Sequence, residues 1–216
     1  MEIYETEEQQ VEALKRWWRE NGVATLVGVI VGVALIVAWN FWKHYKQDQS
    51  LQASALYEQL VLAANQSNSE SAEKIAERIH QQFGATAYST YAGLYQAKSK
   101  VEAKDLDAAQ QILKATLASA DDELEHVARL RLIRLLLAKG EYEQGLQLIA
   151  ETDPAATIGF SGNYDELKGD LYVALERLDE ARTAYQSALG SDYQSPLLQL
   201  KIDDLTQAEI IAAPEQ

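Results

Sequence analysis

Residues Val23 to Trp42 read VATLVGVIVGVALIVAWNFW, twenty residues with no charge and one strongly polar group, Asn40. A helix rises about 1.5 Å per residue, so this run is about 30 Å long, the hydrocarbon thickness of a bilayer. Soluble helices are seldom apolar around the whole circumference. The run therefore predicts a membrane-spanning helix over residues 23–42, and the rest of the chain is arranged around it.

The four tryptophans sharpen that reading. Trp17 and Trp18 precede the run, Trp39 and Trp42 close it, and the chain has no other Trp. Indole favours the membrane interface, where its ring meets acyl chains and its N–H meets water. A cleaved signal peptide would be shorter and would end in small residues; this run ends in Trp42-Lys43-His44-Tyr45-Lys46. The sequence thus reads as an uncleaved anchor. Lys15, Arg16 and Arg19 lie before the span, and Lys43 and Lys46 after it. Three cations against two is a slight bias toward a cytoplasmic N-terminus. Inside the span Ala24, Gly28 and Gly32 form a stripe along which another helix could approach closely.

Composition removes several functions. The chain of 216 residues has 19 Lys+Arg against 33 Asp+Glu, a net charge of −14. That argues against nucleic acid and against docking on anionic lipid. No cysteine is present, so disulfides, thiolate metal sites and a catalytic thiol are excluded. Only 11 Gly and 3 Pro occur, as expected of a mostly helical chain. His44, His80 and His126 are isolated from one another; His44 reads as an interface residue, the other two as exposed helix positions. No phosphate-binding loop, nucleophile turn or calcium loop is present. Asp121-Asp122-Glu123 reads as an N-cap and first-turn cluster. The residues predict no enzyme, no cofactor and no metal.

Repetition carries the remaining information. Leu106, Tyr142 and Leu178 are 36 residues apart, as are Asp107, Glu143 and Asp179, and Ala109, Gly145 and Ala181. Each trio follows one amphipathic stretch and opens another. This is the corner of a tetratricopeptide-type hairpin: an apolar plug, an acid favoured by the helix dipole, and a small residue that admits close helix packing. First helices are expected at residues 91–101, 127–138 and 164–175, and second helices at 109–117, 145–149 and 181–189. The repeats are divergent: Ala97 and Gly169 fit one small position, whereas Ile133 occupies it in the middle repeat. The fold expected is all-α, a single N-terminal transmembrane helix followed by a divergent tetratricopeptide-type α-solenoid. Its divisions are a tail over 1–22, the span over 23–42, a stalk helix and first hairpin over 43–84, repeats with a capping helix (Ser195 to Leu205) over 85–207, and a flexible tail over 208–216. The loop Asp153–Asn163, with Pro154, Gly159 and Gly162, reads as a repeat connector.

The face lined by first helices is the binding candidate. The register puts Tyr91, Leu94, Lys98 and Val101, then Leu130, Arg134 and Leu137, then Glu166, Asp170 and Val173 on it. Mixed apolar and charged groups suit a partner's peptide segment.

The opening MEIYETEEQQVEALKRWWRENG, with Tyr4, Val11-Glu12-Ala13, Lys15 and Asn21-Gly22, leads into a Gly-dotted span and an acidic repeat domain. In this it resembles the YfgM family of ancillary SecYEG translocon subunits. The resemblance implies an inner-membrane protein with a cytoplasmic N-terminus and a periplasmic repeat domain. It further implies association with SecYEG and with the membrane-anchored periplasmic chaperone PpiD, exported client proteins, and a link to a response regulator. Two alternatives stay open on the residues alone: a repeat adaptor facing the cytoplasm, and an assembly factor for envelope complexes.

Overall fold

The computed structural model describes residues 7–153, 159–191, 193 and 195–212, and divides into two units, residues 1–51 and 52–216. Nine helices and no strand occur among the described residues: α1 (Glu7–Asn65), α2 (Ser69–Phe83), α3 (Ala87–Glu102), α4 (Leu106–Ser119), α5 (Asp122–Lys139), α6 (Tyr142–Ala150), α7 (Ser161–Ala174), α8 (Leu178–Gly190) and α9 (Leu198–Ala212).

In the first unit, every residue from Val23 to Trp42 is exposed except Thr25 and Gly32, which are half-exposed. Leu35 is 66% exposed and Ile36 64%. Such a surface is stable only in an apolar solvent, because each of these side chains would cost about 1.5–3 kcal/mol to leave in water. Trp17 and Trp18 stand 6.4 Å apart at one end, Trp39 and Trp42 5.6 Å apart at the other. Lys46 lies 4.5 Å above the Trp42 ring. A Cβ added at Gly28 or Gly32 would meet nothing within 4 Å, so the small-residue stripe is unoccupied by the chain's own atoms.

The second unit is a row of hairpins. The end of α1 pairs with α2, α3 with α4, α5 with α6, and α7 with α8; α9 follows. Four turns join the pairs, and all have one backbone geometry. Ser67, Lys104, Gly140 and Glu176 adopt left-handed φ values of 58°, 62°, 78° and 60°. At each, that residue's N–H donates to the carbonyl three residues back, and the next N–H donates to the carbonyl five back. For Lys104 and Asp105 the acceptors are Val101 and Lys100, both at 2.9 Å; for Ser67 and Asn68 they are Ala64 and Ala63, both at 3.0 Å. This is the Schellman motif, which satisfies carbonyls that a helix end leaves orphaned. The polar break at residues 65–69 is thus a fourth copy of the turn, set 37 residues before the next. Asn68 and Asp105 then cap the following helices, each side-chain oxygen accepting at 3.1 Å from the N–H three residues on.

Second helices begin three residues earlier than expected. Leu106, Tyr142 and Leu178 are their first residues, and Asp107, Glu143 and Asp179 lie in the first turn. The Schellman turn leaves only two or three residues between helices, so the apolar plug is already helical. The three plugs pack half-buried against three successive core clusters. The small residues behind them are buried: Ala109 and Ala181 are fully enclosed, and a Cβ at Gly145 would lie 2.9 Å from Leu171.

Each core cluster lies between consecutive hairpins. Leu60, Ala76, Ile79 and Ala92 join α1, α2 and α3. Leu94, Leu113, Leu132 and Leu136 join α3, α4 and α5. Leu130, Ile133, Leu167 and Leu171 join α5 and α7. Tyr185, Leu198 and Leu205 join α8 and α9. No hairpin buries its apolar side alone, which is the energetic logic of stacked repeats. Ile133, at a position that is small in the neighbouring repeats, is fully buried in its cluster.

Two local expectations are corrected. α9 begins at Leu198 instead of Ser195 and remains helical to Ala212, past Leu205; residues 213–216 lie outside the described residues. His80 and His126 are not exposed helix positions. His126 is 7% exposed, with Nδ1 3.0 Å from the Tyr164 hydroxyl and its ring 5.0 Å from Phe160. Half-buried His80 bridges Ser89 at 2.7 Å and Gln96 at 3.0 Å. Both imidazoles satisfy polar groups at helix junctions, which costs less than leaving those groups unpaired. Pro154, in the expected connector loop, lies outside the described residues.

Candidate protein-binding face

Counting back from the left-handed turn residues aligns the first helices. Six residues before each turn stand Val61, Lys98, Arg134 and Asp170; nine before stand Glu58, Tyr95, Arg131 and Leu167. On α5 the exposed stripe contains Arg131, Arg134 and Ala138. On α3 it contains Tyr91 (36% exposed), Lys98 and Val101 (41%). On α7 it narrows to Val173.

The expected face residues therefore divide. Tyr91, Lys98, Val101, Arg134 and Val173 reach solvent, and Leu137 does so in part. Leu94 (5%) and Leu130 (4%) are core residues, because their stripe turns toward the neighbouring hairpin. Tyr91 is one corner of an aromatic cluster: its ring is 5.6 Å from Tyr57 and 5.9 Å from Tyr88, and these two are 5.8 Å apart. Lys98 makes one loose, exposed contact with Glu102 at 3.6 Å.

Glu166 and Asp170 are taken up within the chain. Lys201 of α9 reaches Glu166 at 2.8 Å and Asp170 at 2.7 Å. Glu166 also accepts from the Tyr193 hydroxyl at 2.6 Å and from Ser195 at 3.2 Å; Asp170 accepts from the Tyr185 hydroxyl at 2.7 Å. Burial favours neutral Glu166, but hydrogen bonds from Lys201 and Tyr193 outweigh it and hold the carboxyl below its ordinary range. Burial likewise opposes the Lys201 charge, and the bonds to Asp170 and Glu166 raise it overall. Burial, then the bond to Asp170, pushes the Tyr185 hydroxyl up. Lys201 was invisible as a partner in the sequence, since it lies 35 and 31 residues from the two acids.

A second network ties turn to turn. Lys139 donates to Asp107 at 2.6 Å and to Gln110, and meets Glu141 at 2.8 Å. Its hydrogen bond to Asp107 leads the causes that raise its pKa, and the same bond depresses Asp107. The repeat-signature acid Asp107 thus anchors the next hairpin besides facing its own helix dipole. Glycine spacing completes the packing: a Cβ at Gly169 would run into the Tyr185 ring, and one at Gly93 into Thr116.

Stacked hairpins with a repeated corner, together with one helix long and apolar enough to cross a bilayer, define a helical-repeat protein of the tetratricopeptide kind. The family model described as a tetratricopeptide repeat-like domain matches residues 15–207. The chain is 31% identical to the ancillary SecYEG translocon subunit of Escherichia coli (strain K12), over 95% of this chain and 100% of that protein. Likeness to the same-named protein of Haemophilus influenzae is 30%, over 92% and 97%. For that of Aggregatibacter actinomycetemcomitans it is 29%, over 92% and 97%. No solved structure matches significantly. The chain belongs to this tetratricopeptide repeat-like family, the YfgM family that its opening residues resemble.

Proposed function

We propose that this protein is an ancillary subunit of the Sec translocon, in which the α1 span tethers the repeat domain beside SecYEG and the first-helix face binds a partner's segment. One observation carries the reading: likeness to ancillary SecYEG translocon subunits runs through 95% of the chain, apolar helix and repeats together. Tethering acts by concentration, since a domain confined to the bilayer surface meets neighbouring membrane complexes far more often than a free one. The three cations before the span against two after it favour a cytoplasmic N-terminus and a periplasmic repeat domain. On that side the family resemblance supplies the partners, a membrane-anchored chaperone of the PpiD kind and exported chains.

Photo-crosslinkers placed singly between Ala24 and Trp39 of the full-length protein test the tether. Adducts with a Sec channel subunit are expected, and their absence at every position would refute it. Protease added to intact spheroplasts is expected to digest the repeat domain; survival of the domain would reverse the orientation.

A further inference from the structure

The repeat region is acidic: residues 43–216 contain 16 Lys+Arg and 27 Asp+Glu. Eight of those cations, Lys74, Lys98, Lys100, Arg129, Lys139, Arg177, Arg182 and Lys201, each pair with a carboxylate. Arg131 and Arg134 do not: they are exposed together on one face of α5 with no ion pair or hydrogen bond among the described residues. No position one helical turn from either arginine on α5 is acidic, so neither guanidinium has a partner within its own helix.

Their neighbours fit the same surface. Lys98 holds the register position of Arg134 on the adjacent first helix, 36 residues earlier, and α3 packs against α5. Beyond it Tyr91 opens the cluster with Tyr57 and Tyr88. On the other side, Glu166 and Asp170 would repel an anion, but Lys201 matches both. Tyr193, which donates to Glu166, is close enough to Arg134 to feel its charge. The face thus runs from an aromatic ledge, through unmatched cations, to acids already neutralised.

We infer that the first-helix face binds an acidic partner segment, its carboxylates on Arg131 and Arg134 and an aromatic or aliphatic side chain on the Tyr91 ledge. Arginine supplies bidentate recognition of carboxylates, and tyrosine supplies anchoring area at little entropic cost. The opposite face offers no such match. Its cleft between α4 and α6, about 310 Å³, is lined mainly by Leu117, Leu132, Leu136 and Leu148, with single charges at Lys114 and Glu151. The inference rests on the first-helix face being the partner surface and adds what the partner must carry.

The test uses the full-length protein in nanodiscs of zwitterionic lipid and a fluorescent peptide alternating Asp with Leu and Phe. Binding is expected to weaken as salt rises. It should weaken roughly ten-fold in Arg131→Glu/Arg134→Glu and stay unchanged in Lys114→Glu on the opposite face. Both arginines are exposed, so an unaltered circular dichroism melt is the check on folding. Equal binding of a peptide with Lys in place of Asp, or indifference to the double reversal, would overturn the inference. A Ser-for-Asp peptide that binds as tightly and is released by Tyr91→Ser would overturn the acidic preference while leaving the face itself as the partner surface.

Discussion

Four turns with one backbone geometry but only one glycine set up an experiment with its own control. Gly140 and Lys104 occupy equivalent left-handed positions, at φ 78° and 62°. Around Gly140 an added Cβ would meet only Tyr142, its hydroxyl at 3.9 Å and a ring carbon at 4.0 Å. The Lys104 side chain is exposed and makes no ion pair or hydrogen bond among the described residues. Substitution at either site therefore acts through φ alone. An L-residue in this region costs about 1–2 kcal/mol relative to glycine. Glycine in turn forfeits about 0.4–1 kcal/mol through the unfolded chain. The difference is about 0.5–1 kcal/mol, opposite in sign at the two sites. Gly140→Ala is expected to destabilise and Lys104→Gly to stabilise, each moving the urea midpoint by about 0.5 M for a typical slope. Far-ultraviolet circular dichroism of the full-length protein in mild detergent reads the transition. Shifts of the same sign at both positions would refute the claim that backbone conformation, and not side-chain contact, defines the repeat corner.

Three further outcomes follow from the packing. Gly169→Ala drives a methyl group into the Tyr185 ring and disturbs its bond to Asp170; a loss of about 1–3 kcal/mol is expected in urea titration, and an unchanged midpoint would contradict the contact. Lys201→Met strands Glu166 and Asp170, partly shielded by solvent, at a cost of about 2 kcal/mol near neutral pH. Because Glu166 is depressed, its share is present above the ordinary carboxylate pKa and lost as pH falls through the folded value; because Lys201 is raised, its share is lost only above its ordinary range. The gap between wild type and variant should thus stay level from about pH 5 to 9 and close below about pH 4, and a gap that widens in acid would sink the assignment. Ile30→Asp places a carboxylate in the apolar run at about 2.5–3.5 kcal/mol; a reduced fraction resisting carbonate extraction is expected, and full resistance would count against a lipid-facing span.

The span was readable because its signal is local: twenty residues, apolar on every side, need no partner to be interpreted. Three of the four corners were readable because Leu106, Tyr142 and Leu178 put an apolar plug at a constant interval. The fourth escaped that comparison because Ser69 stands where the plug should be and the interval is 37 residues; only the backbone at Ser67 reveals the kinship. Contacts made across the stack were not readable. His126 meets Tyr164 at a separation of 38 residues, and no periodicity pairs them. Asp170 shares the row of Lys98 and Arg134, and Glu166 that of the core residues Leu94 and Leu130, yet both meet Lys201, because the capping helix brings an ammonium to them. Arg131 falls outside the face expected from the sequence because it lies one helical turn off the row occupied by Lys98 and Arg134. Exposure without a counter-charge was its only signal.

The placement of aromatic residues has an optical consequence. Every indole lies between Trp17 and Trp42, whereas nine of the eleven tyrosines, from Tyr57 onward, belong to the second unit. Emission excited at the red edge of the absorption band comes from the lipid-facing rod alone, and phenol absorbance comes almost wholly from the stack. A lipid quencher and a denaturant can then be followed in one cuvette, each through its own chromophore, without a label.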